Sequence, residues 1–290
     1  MSLLLHRPQL PPILRGFATV HGRRLETAVI VPDETRARAP HLVLLHGAFG
    51  SLATWNRFPL EVARASGCPV LVYSRAGHGR SDPPAGPPGP DYLRVEAQTV
   101  LPVLLDSQGI ERPILVGHED GAAIALIHAG SGFDVAGVVA LAPRTSIGEP
   151  AATAVRAAHT RFAAGEAMQE YARQHRDPAA LLARWALLWA SPDVRSRTLE
   201  PFLRRVAAPV MLVQGEDDEH GSLADLALLA RSLHGHAQSF QLEAVGHEPW
   251  LDAPRAVVAA ITALVDRAGY RGQTLLSHDD PMHRDRLPGK

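Results

Sequence analysis

The stretch Ile114-Leu-Val-Gly-His-Glu-Asp-Gly-Ala-Ala-Ile-Ala-Leu126 decides the fold. Its aliphatic start predicts a buried strand, and the Ala-, Ile- and Leu-rich part after Gly121 predicts a helix. The five residues between them, Gly117-His-Glu-Asp-Gly121, have the glycine-x-nucleophile-x-glycine spacing of a strand-turn-helix elbow. Glycines at both ends allow strand and helix to pass close together, while the central side chain projects at the edge of the sheet. That central residue is Glu119.

The composition fits one large α/β domain with an inserted subdomain, since 46% of the 290 residues are hydrophobic. The 29 Lys and Arg nearly balance the 30 Asp and Glu. No basic stripe is present, so nucleic acid and membranes are not expected as partners. A small-molecule substrate is expected instead. Cys68 is the only cysteine, which excludes an internal disulfide. No stretch approaches the ~20 apolar residues of a spanning helix. We expect a cytoplasmic protein, with its oligomeric state left open.

The order of predicted elements indicates an α/β architecture, with a mostly parallel eight-stranded sheet and helices on both faces. A hairpin opens the chain, with strands at 17–20 and 25–31 around the turn His21-Gly22. The later strands are predicted at 41–45, 68–73, 114–116, 135–141, 210–213 and 239–245. Helices are predicted at 55–65, at 92–108 with a bend at Pro102, after Gly121, at 222–234 and at 254–268.

Residues 146–205 interrupt this alternation, because they are Ala- and Arg-rich and contain no strand candidate. Helical spacing of Leu181, Trp185, Leu188 and Trp189 predicts an inserted helical lid, with extra core helices as the alternative. The α/β core is then expected at 1–145 and 206–268. Residues 269–290 have little apolar periodicity and are predicted to form a loose tail.

Six motifs in order along the chain resemble those of the α/β-hydrolase superfamily. They are His46-Gly47, Gly77-x-Gly-x-Ser-Asp82, the elbow, the lid, Gly215-Glu-Asp-Asp218 and Gly246-His247. The surrounding sequence is similar to a bacterial branch of small-molecule hydrolases whose elbow usually reads G-H-S-D-G. Glu119 stands where that serine would be. The resemblance implies that Asp218 is the acid, with Asp217 as the alternative, and that His247 is the base.

The resemblance also implies an oxyanion hole made by the backbone N–H groups of Ala48 and Asp120, with Phe49 as an alternative to Ala48. A carboxylate at this helix N-terminus is expected to be ionised, and one of its oxygens can itself occupy the hole. Glu119 offers no proton for His247 to remove. Serine-type acyl transfer is therefore not expected.

Three hypotheses about activity follow. In the first, the protein hydrolyses a small organic molecule such as an ester, lactone or epoxide. Glu119 is then the nucleophile or the base that activates water, assisted by His247 and Asp218. In the second, the His247/Asp218 pair serves a lyase, cyclase or cofactor-free oxygenase. In the third, the site is catalytically silent and binds a ligand.

The family's carboxylate enzymes, dehalogenases and epoxide hydrolases, place aspartate at the elbow. Glutamate is one methylene longer, so its line of attack differs. Their proline after His-Gly is absent, Tyr171 is the one available lid tyrosine, and Asp120 replaces the dehalogenase tryptophan.

The expected substrate is a modest, mostly apolar molecule. The candidate pocket residues are Phe49, Tyr171, Trp185 and Trp189. Consecutive residues in a tight turn point in different directions, so His118, Glu119 and Asp120 are not expected to bind a metal. No motif implies a cofactor.

Overall fold

Short aliphatic runs of four to six residues form the middle of one eight-stranded sheet. The computed structural model describes residues 11–32, 35, 39–144, 157, 160–161, 168–191 and 198–269. The strands are β1 (Ile13–Val20), β2 (Arg23–Ile30), β3 (Leu42–Leu45), β4 (Val70–Tyr73), β5 (Ile114–His118), β6 (Gly137–Leu141), β7 (Val210–Gly215) and β8 (Ala237–Leu242).

The sheet has the strand order β1-β2-β4-β3-β5-β6-β7-β8. The β1–β2 hairpin is antiparallel and joins β4 antiparallel, whereas every later pair is parallel. Strands β3 to β7 are buried throughout, which is why they appear in the sequence as continuous apolar runs rather than alternating ones. The predicted sheet is confirmed.

Helices cover both faces of the sheet, as predicted. The described helices are α1 (Phe58–Ser66), α2 (Tyr92–Val95), α3 (Leu101–Ser107), α4 (Asp120–Gly130), α5 (Met168–Gln174), α6 (Pro178–Ala190), α7 (Glu200–Leu203), α8 (Leu223–Ser232), α9 (Pro249–Asp252) and α10 (Pro254–Arg267). Buried side chains of α3, α4 and α8 form one apolar cluster, and those of α1 and α10 form another. A short 3₁₀ helix, Leu52–Trp55, precedes α1.

The predicted long helix at 92–108 differs from the observed one. A π-helical turn, Glu96–Val100, separates α2 from α3, and Pro102 lies in the first turn of α3. Proline has no N–H to donate and its ring clashes with the carbonyl four residues earlier, at Gln98. The wider π turn accommodates the backbone hydrogen bond that Pro102 cannot make. The helix is therefore irregular just before the proline, whereas the sequence predicted a simple bend at it.

The segment predicted as a lid, 146–205, contains α5, α6 and α7 among its described residues. Leu181, Trp185 and Leu188 of α6 are buried and pack together with Ala48. Much of the segment lies outside the described residues, as do the first ten residues and the predicted tail beyond Gly269, so the lid and the tail stay predictions. Within the described ranges, no helix is both long and apolar enough to cross a membrane.

Candidate active site

The elbow places Glu119 between β5 and α4 in a backbone conformation that residues other than glycine rarely adopt. Its φ is 51° and its ψ is −110°. A Cβ atom on Gly117 would overlap the backbone of Gly121, and one on Gly121 would overlap the carbonyl of Leu45. Glycine is thus required at both ends of the turn, and the strained backbone directs the Glu119 side chain into a cavity.

The Glu119 carboxylate has a separate partner for each oxygen. The Ala48 amide donates to Oε2 at 2.8 Å, and the Arg144 guanidinium forms a hydrogen-bonded ion pair with Oε1. Among the described hydrogen bonds, none joins the Asp120 amide to this carboxylate. One oxygen of Glu119 therefore lies against an amide that the sequence assigned to an oxyanion hole.

These contacts hold Glu119 ionised. Burial alone would raise the pKa of Glu119, but the charges of Arg144 and His247, with the Ala48 hydrogen bond, outweigh it and lower the pKa to about 2. The carboxylate is consequently an anion throughout the neutral range.

Three histidines fix the loop that carries the Ala48 amide. His46 Nδ1 donates to the Gly47 carbonyl at 2.8 Å, because its Nε2 accepts from the Arg75 amide. The next two carbonyls, of Ala48 and Phe49, lie 3.0 Å from His78 Nε2 and His175 Nε2 respectively. Three consecutive carbonyls of residues 47–49 thus each have a histidine partner, and the Ala48 N–H between them donates to Glu119.

Asp218 and His247 form a hydrogen-bonded pair. His247 Nδ1 donates to Asp218 Oδ1 at 2.9 Å, and Gln214 Nε2 donates to Asp218 Oδ2 at 2.6 Å. Burial would raise the pKa of Asp218, but these hydrogen bonds and the amide of His220 hold it well below its usual range. Asp217, the alternative acid, has an exposed side chain. The geometry therefore favours Asp218 as the partner of His247.

His247 is also close to the elbow. Its imidazole packs edge-on against His118 and His220, with both pairs of ring centroids 4.7 Å apart. Burial would lower the pKa of His247, but the Asp218 hydrogen bond and the charges of Glu119 and Asp218 raise it above 6.5. Among the described hydrogen bonds, none joins His247 Nε2 to the Glu119 carboxylate.

Arg144 was not among the site residues predicted from the sequence. It lies three residues after β6. No motif marks it. Its position at the carboxyl end of a strand next to β5 was the available signal, since neighbouring parallel strands end at the same edge of a sheet.

The cavity at Glu119 has a volume of about 720 Å³. Phe49 and Tyr171 line it, as predicted for a substrate pocket, whereas Trp185 is buried and lines a different cavity. The side chain of Trp189 lies outside the described residues. Charged residues of the lining are Glu119, Arg144, Arg161, Glu170, Glu219, Glu248 and Asp252. The lining is thus mixed in polarity, and the mostly apolar substrate expected from the sequence stays a prediction.

Metal coordination finds no support in the described part of the chain, where no group of three or more His, Cys, Asp or Glu side chains converges.

The sequence matches the model of the Alpha/beta hydrolase family over residues 42–261. The chain belongs to this family. A 2-succinyl-6-hydroxy-2,4-cyclohexadiene-1-carboxylate synthase from Pectobacterium atrosepticum is 30% identical over 218 residues, which are 74% of this chain and 71% of that protein. A (lyso)-N-acylphosphatidylethanolamine lipase from Bos taurus is 30% identical over 114 residues, 39% of this chain and 32% of the lipase.

Solved structures of alpha/beta hydrolases share the fold. The 2-hydroxy-6-oxo-6-phenylhexa-2,4-dienoate hydrolase of Rhodococcus sp. strain RHA1 superposes with a TM-score of 0.68 at 17% identity, covering 88% of this chain and 99% of that one. An E-2-(acetamidomethylene)succinate hydrolase superposes with a TM-score of 0.65 at 21% identity, covering 88% and 100%. At these identities the likeness concerns the fold alone.

Proposed function

We propose that this alpha/beta hydrolase-fold enzyme hydrolyses a small organic molecule through a carboxylate nucleophile, Glu119. The observation that carries the proposal is the 2.8 Å hydrogen bond from the Ala48 amide to Glu119 Oε2. That bond occupies the donor which a serine-type enzyme needs for its substrate's oxyanion. It also fixes one oxygen of the carboxylate and leaves the other, Oε1, as the only atom of Glu119 able to attack.

The first step is attack by Oε1 on an electrophilic carbon of the substrate, such as an epoxide carbon. A carbon–oxygen bond to Glu119 forms, and the bond from that carbon to its leaving group breaks with its electron pair. An alkoxide released in this way takes a proton from solvent, and the proton that the attacking water leaves on the Glu119 carboxyl group at the end of the second step returns to solvent. Oε2 then becomes the carbonyl oxygen of an ester. It already accepts a hydrogen bond from the Ala48 amide, so the oxyanion that develops when water attacks this ester has a donor in place.

The second step requires a base for water, and His247 has the features of one. Asp218 accepts from Nδ1, which fixes the tautomer and leaves Nε2 to take a proton. Water adds to the ester carbon of Glu119 as His247 removes its proton. Collapse of the intermediate returns the carboxylate and expels the product oxygen, which takes the proton from His247.

Arg144 has to leave Oε1 before that atom can attack. The substrate's leaving group then lies beside a guanidinium released from its ion pair. A planar cation with several donors stabilises the negative charge that develops on an oxygen leaving group. This requirement favours substrates whose leaving atom accepts hydrogen bonds.

The direct test is a single turnover in H₂¹⁸O with enzyme in excess over a panel of epoxides and haloalkanes, which form an ester with the carboxylate. We expect ¹⁸O in the peptide that contains Glu119, because water attacks the carboxyl carbon of the ester. His247→Gln should accumulate the ester, seen as a mass increase on that peptide. Glu119→Gln should lose about 10³-fold or more in kcat/KM.

Label found only in the product, together with an active Glu119→Gln enzyme, would overturn the nucleophile role. Glu119→Ser serves as the matched variant. If it gains esterase activity that the parent lacks, the His247/Asp218 pair and the Ala48 amide are arranged for serine chemistry. Glu119 then blocks that chemistry in the parent.

A second candidate is a non-hydrolytic reaction, of the lyase, cyclase or cofactor-free oxygenase kind, in which the His247/Asp218 pair abstracts a proton. The synthase relative and the raised pKa of His247 favour it. This candidate predicts that His247→Gln is inactive while Glu119→Gln retains turnover. Absence of turnover in the parent and in Glu119→Ser would instead support a ligand-binding protein.

A further inference from the structure

A second cavity, of about 440 Å³, shares no lining residue with the cavity at Glu119. It lies between the β1–β2 hairpin, the Pro/Gly-rich loop 84–89, the chain from Tyr92 to Val100, and α6. Its volume lies within the range of roughly 300–1,000 Å³ that is typical of small-molecule sites. The walls are mostly apolar, with contributions from Val20, Leu25, Pro84, Pro87, Val95 and Val100.

Polar atoms without partners occur at one side of this cavity. Glu96 and Arg75 both line it, and Glu96 Oε2 and Arg75 Nε are buried without a hydrogen bond in the described structure. The Tyr73 hydroxyl, which does not line the cavity, is also buried without a partner in the described structure. Unpaired buried polar groups are rare in native proteins, so the two on residues of the cavity wall require an explanation.

The π-helical turn provides part of the cavity wall. Its first and last residues, Glu96 and Val100, both line the cavity. The carbonyls of Ala97 and Thr99, within that turn, lie 2.7 Å from His128 Nδ1 and 3.1 Å from His21 Nε2. Side chains from other parts of the chain thus satisfy two carbonyls of the irregular backbone.

The unpaired atoms set the chemistry of a fitting ligand. On the two residues that line the cavity, Glu96 Oε2 is an acceptor, whereas Arg75 Nε is a donor. A hydroxyl group has one donor and two acceptor positions and so matches both kinds. Burial raises the pKa of Glu96 to about 7, with Arg75 offsetting part of the rise, so a neutral hydroxyl suits this carboxyl in either protonation state.

The aromatic wall indicates the shape of the ligand. Tyr92 and Trp185 both line the cavity and meet edge to face, with ring centroids 5.2 Å apart. Flat apolar molecules gain additional stabilisation from such rings. We propose that this cavity binds a small neutral molecule with an apolar, preferably aromatic, body and one hydroxyl group that donates to Glu96. This site does not depend on the proposed catalytic role of Glu119.

The test measures the affinity of the full chain for 4-propylphenol and for 1-fluoro-4-propylbenzene, which has a similar shape but no donor, by isothermal titration calorimetry. We expect the phenol to bind about 10-fold or more tightly than the fluoro compound. Glu96→Leu should abolish this preference, and Glu96→Gln, which keeps an acceptor, should retain most of it. Ala85→Trp, in the exposed loop, should weaken both ligands by filling the cavity.

The Glu119→Gln variant locates the binding. Unchanged phenol affinity in that variant, with loss in Ala85→Trp, is the expected result. Equal affinity of the parent for the two compounds, no binding of either one, or phenol affinity that falls in Glu119→Gln but not in Ala85→Trp would each overturn the proposal. The comparison of the two compounds on the parent protein decides the matter even where Glu96→Leu does not fold.

Discussion

The pKa values of the two consecutive carboxylates of the elbow are shifted in opposite directions. Glu119 faces the large cavity, and its pKa is lowered to about 2. Asp120 faces the core, and burial together with the negative charge of Glu119 raises its pKa to about 6. Each is buried and each lies beside one arginine. Burial and the presence of a cation therefore do not by themselves decide the outcome.

The charges around each carboxylate account for most of the difference. The Arg144 guanidinium bonds to Glu119 and lowers its pKa more than His247 or the hydrogen bond from the Ala48 amide does. Asp120 accepts from the Tyr92 hydroxyl at 3.0 Å, but its Oδ2 lies 3.6 Å from Arg75 Nη1 and has no hydrogen bond in the described structure. Asp120 must also ionise next to the negative charge of Glu119, which raises its pKa. A directly bonded cation and the sign of the neighbouring charges therefore decide whether a buried carboxylate stays ionised.

The largest expected effect comes from removing the core-side arginine. Arg75→Met leaves Asp120 buried without a cation and removes the donor to the Gly47 carbonyl, so we expect the free energy of unfolding to fall by about 3–5 kcal/mol. Arg144→Met should cost about 1–2 kcal/mol, because Glu119 keeps the Ala48 amide and faces an open cavity. Urea unfolding at pH 7 measures both.

Arg94→Met is the control, since its ion pair with Asp91 is half exposed and should contribute less than about 1 kcal/mol. Equal losses from Arg75→Met and Arg144→Met would contradict the distinction between the two sides of the elbow.

The next effect is on acid stability. The pKa of Glu119 falls from 4.5 to about 2 on folding, so the folded protein holds fewer protons there than the unfolded chain between these values. Its stabilisation is complete above pH 4.5 and is lost as the pH falls toward 2, which corresponds to about 3 kcal/mol. Glu119→Gln should flatten this part of the stability curve, measured by urea unfolding in steps of pH. Asp218, also lowered, should account for the slope that remains.

Asp120 should give a slightly smaller slope of opposite sign. Its pKa rises from 3.8 to about 6 on folding, so the folded protein holds an extra proton between these values. Stabilisation from this group is present below pH 3.8 and is lost as the pH rises through 6, by about 3 kcal/mol at most. Asp120→Asn should remove this decline and keep the acid limb of Glu119. A decline that persists in Asp120→Asn would assign it to another group.

The fold was predictable because its determinants are local. The glycines of the elbow exclude any Cβ for steric reasons, and uninterrupted aliphatic runs are typical of strands buried on both faces. The closeness of His247 and Asp218 was also predictable, since both follow neighbouring parallel strands in the family's order. The possibility that a Glu119 oxygen fills the oxyanion position followed from the helix N-terminus and the nearby amides.

The contacts that tune the site were not predictable. Arg144 occurs in no motif, and its importance depends on a side-chain conformation that only packing sets. His78 and His175 reach the loop carbonyls from distant parts of the chain. Trp185 has the spacing of a buried helix residue, but the spacing could not tell which of two cavities it lines. Such long-range side-chain contacts leave no periodic pattern in a sequence.

The smallest expected effect comes from removing the hydrogen bond between the Tyr92 hydroxyl and Asp120. Tyr92→Phe removes the donor to Asp120 Oδ1, so we expect a loss of about 1 kcal/mol at pH 7 and a further rise in the pKa of Asp120. Urea unfolding measures the first, and the pH at which stability declines measures the second.

Tyr73→Phe is the matched control, because that buried hydroxyl has no hydrogen-bond partner in the described structure and its removal should be neutral or stabilising. In an Asp120→Asn background the cost of Tyr92→Phe should shrink, since the hydrogen bond no longer serves a charge. An undiminished cost there would mean that the Tyr92 hydroxyl does not act through the charge of Asp120. The raised pKa of Asp120 would then come from burial and from the charge of Glu119, with no measurable contribution from this donor.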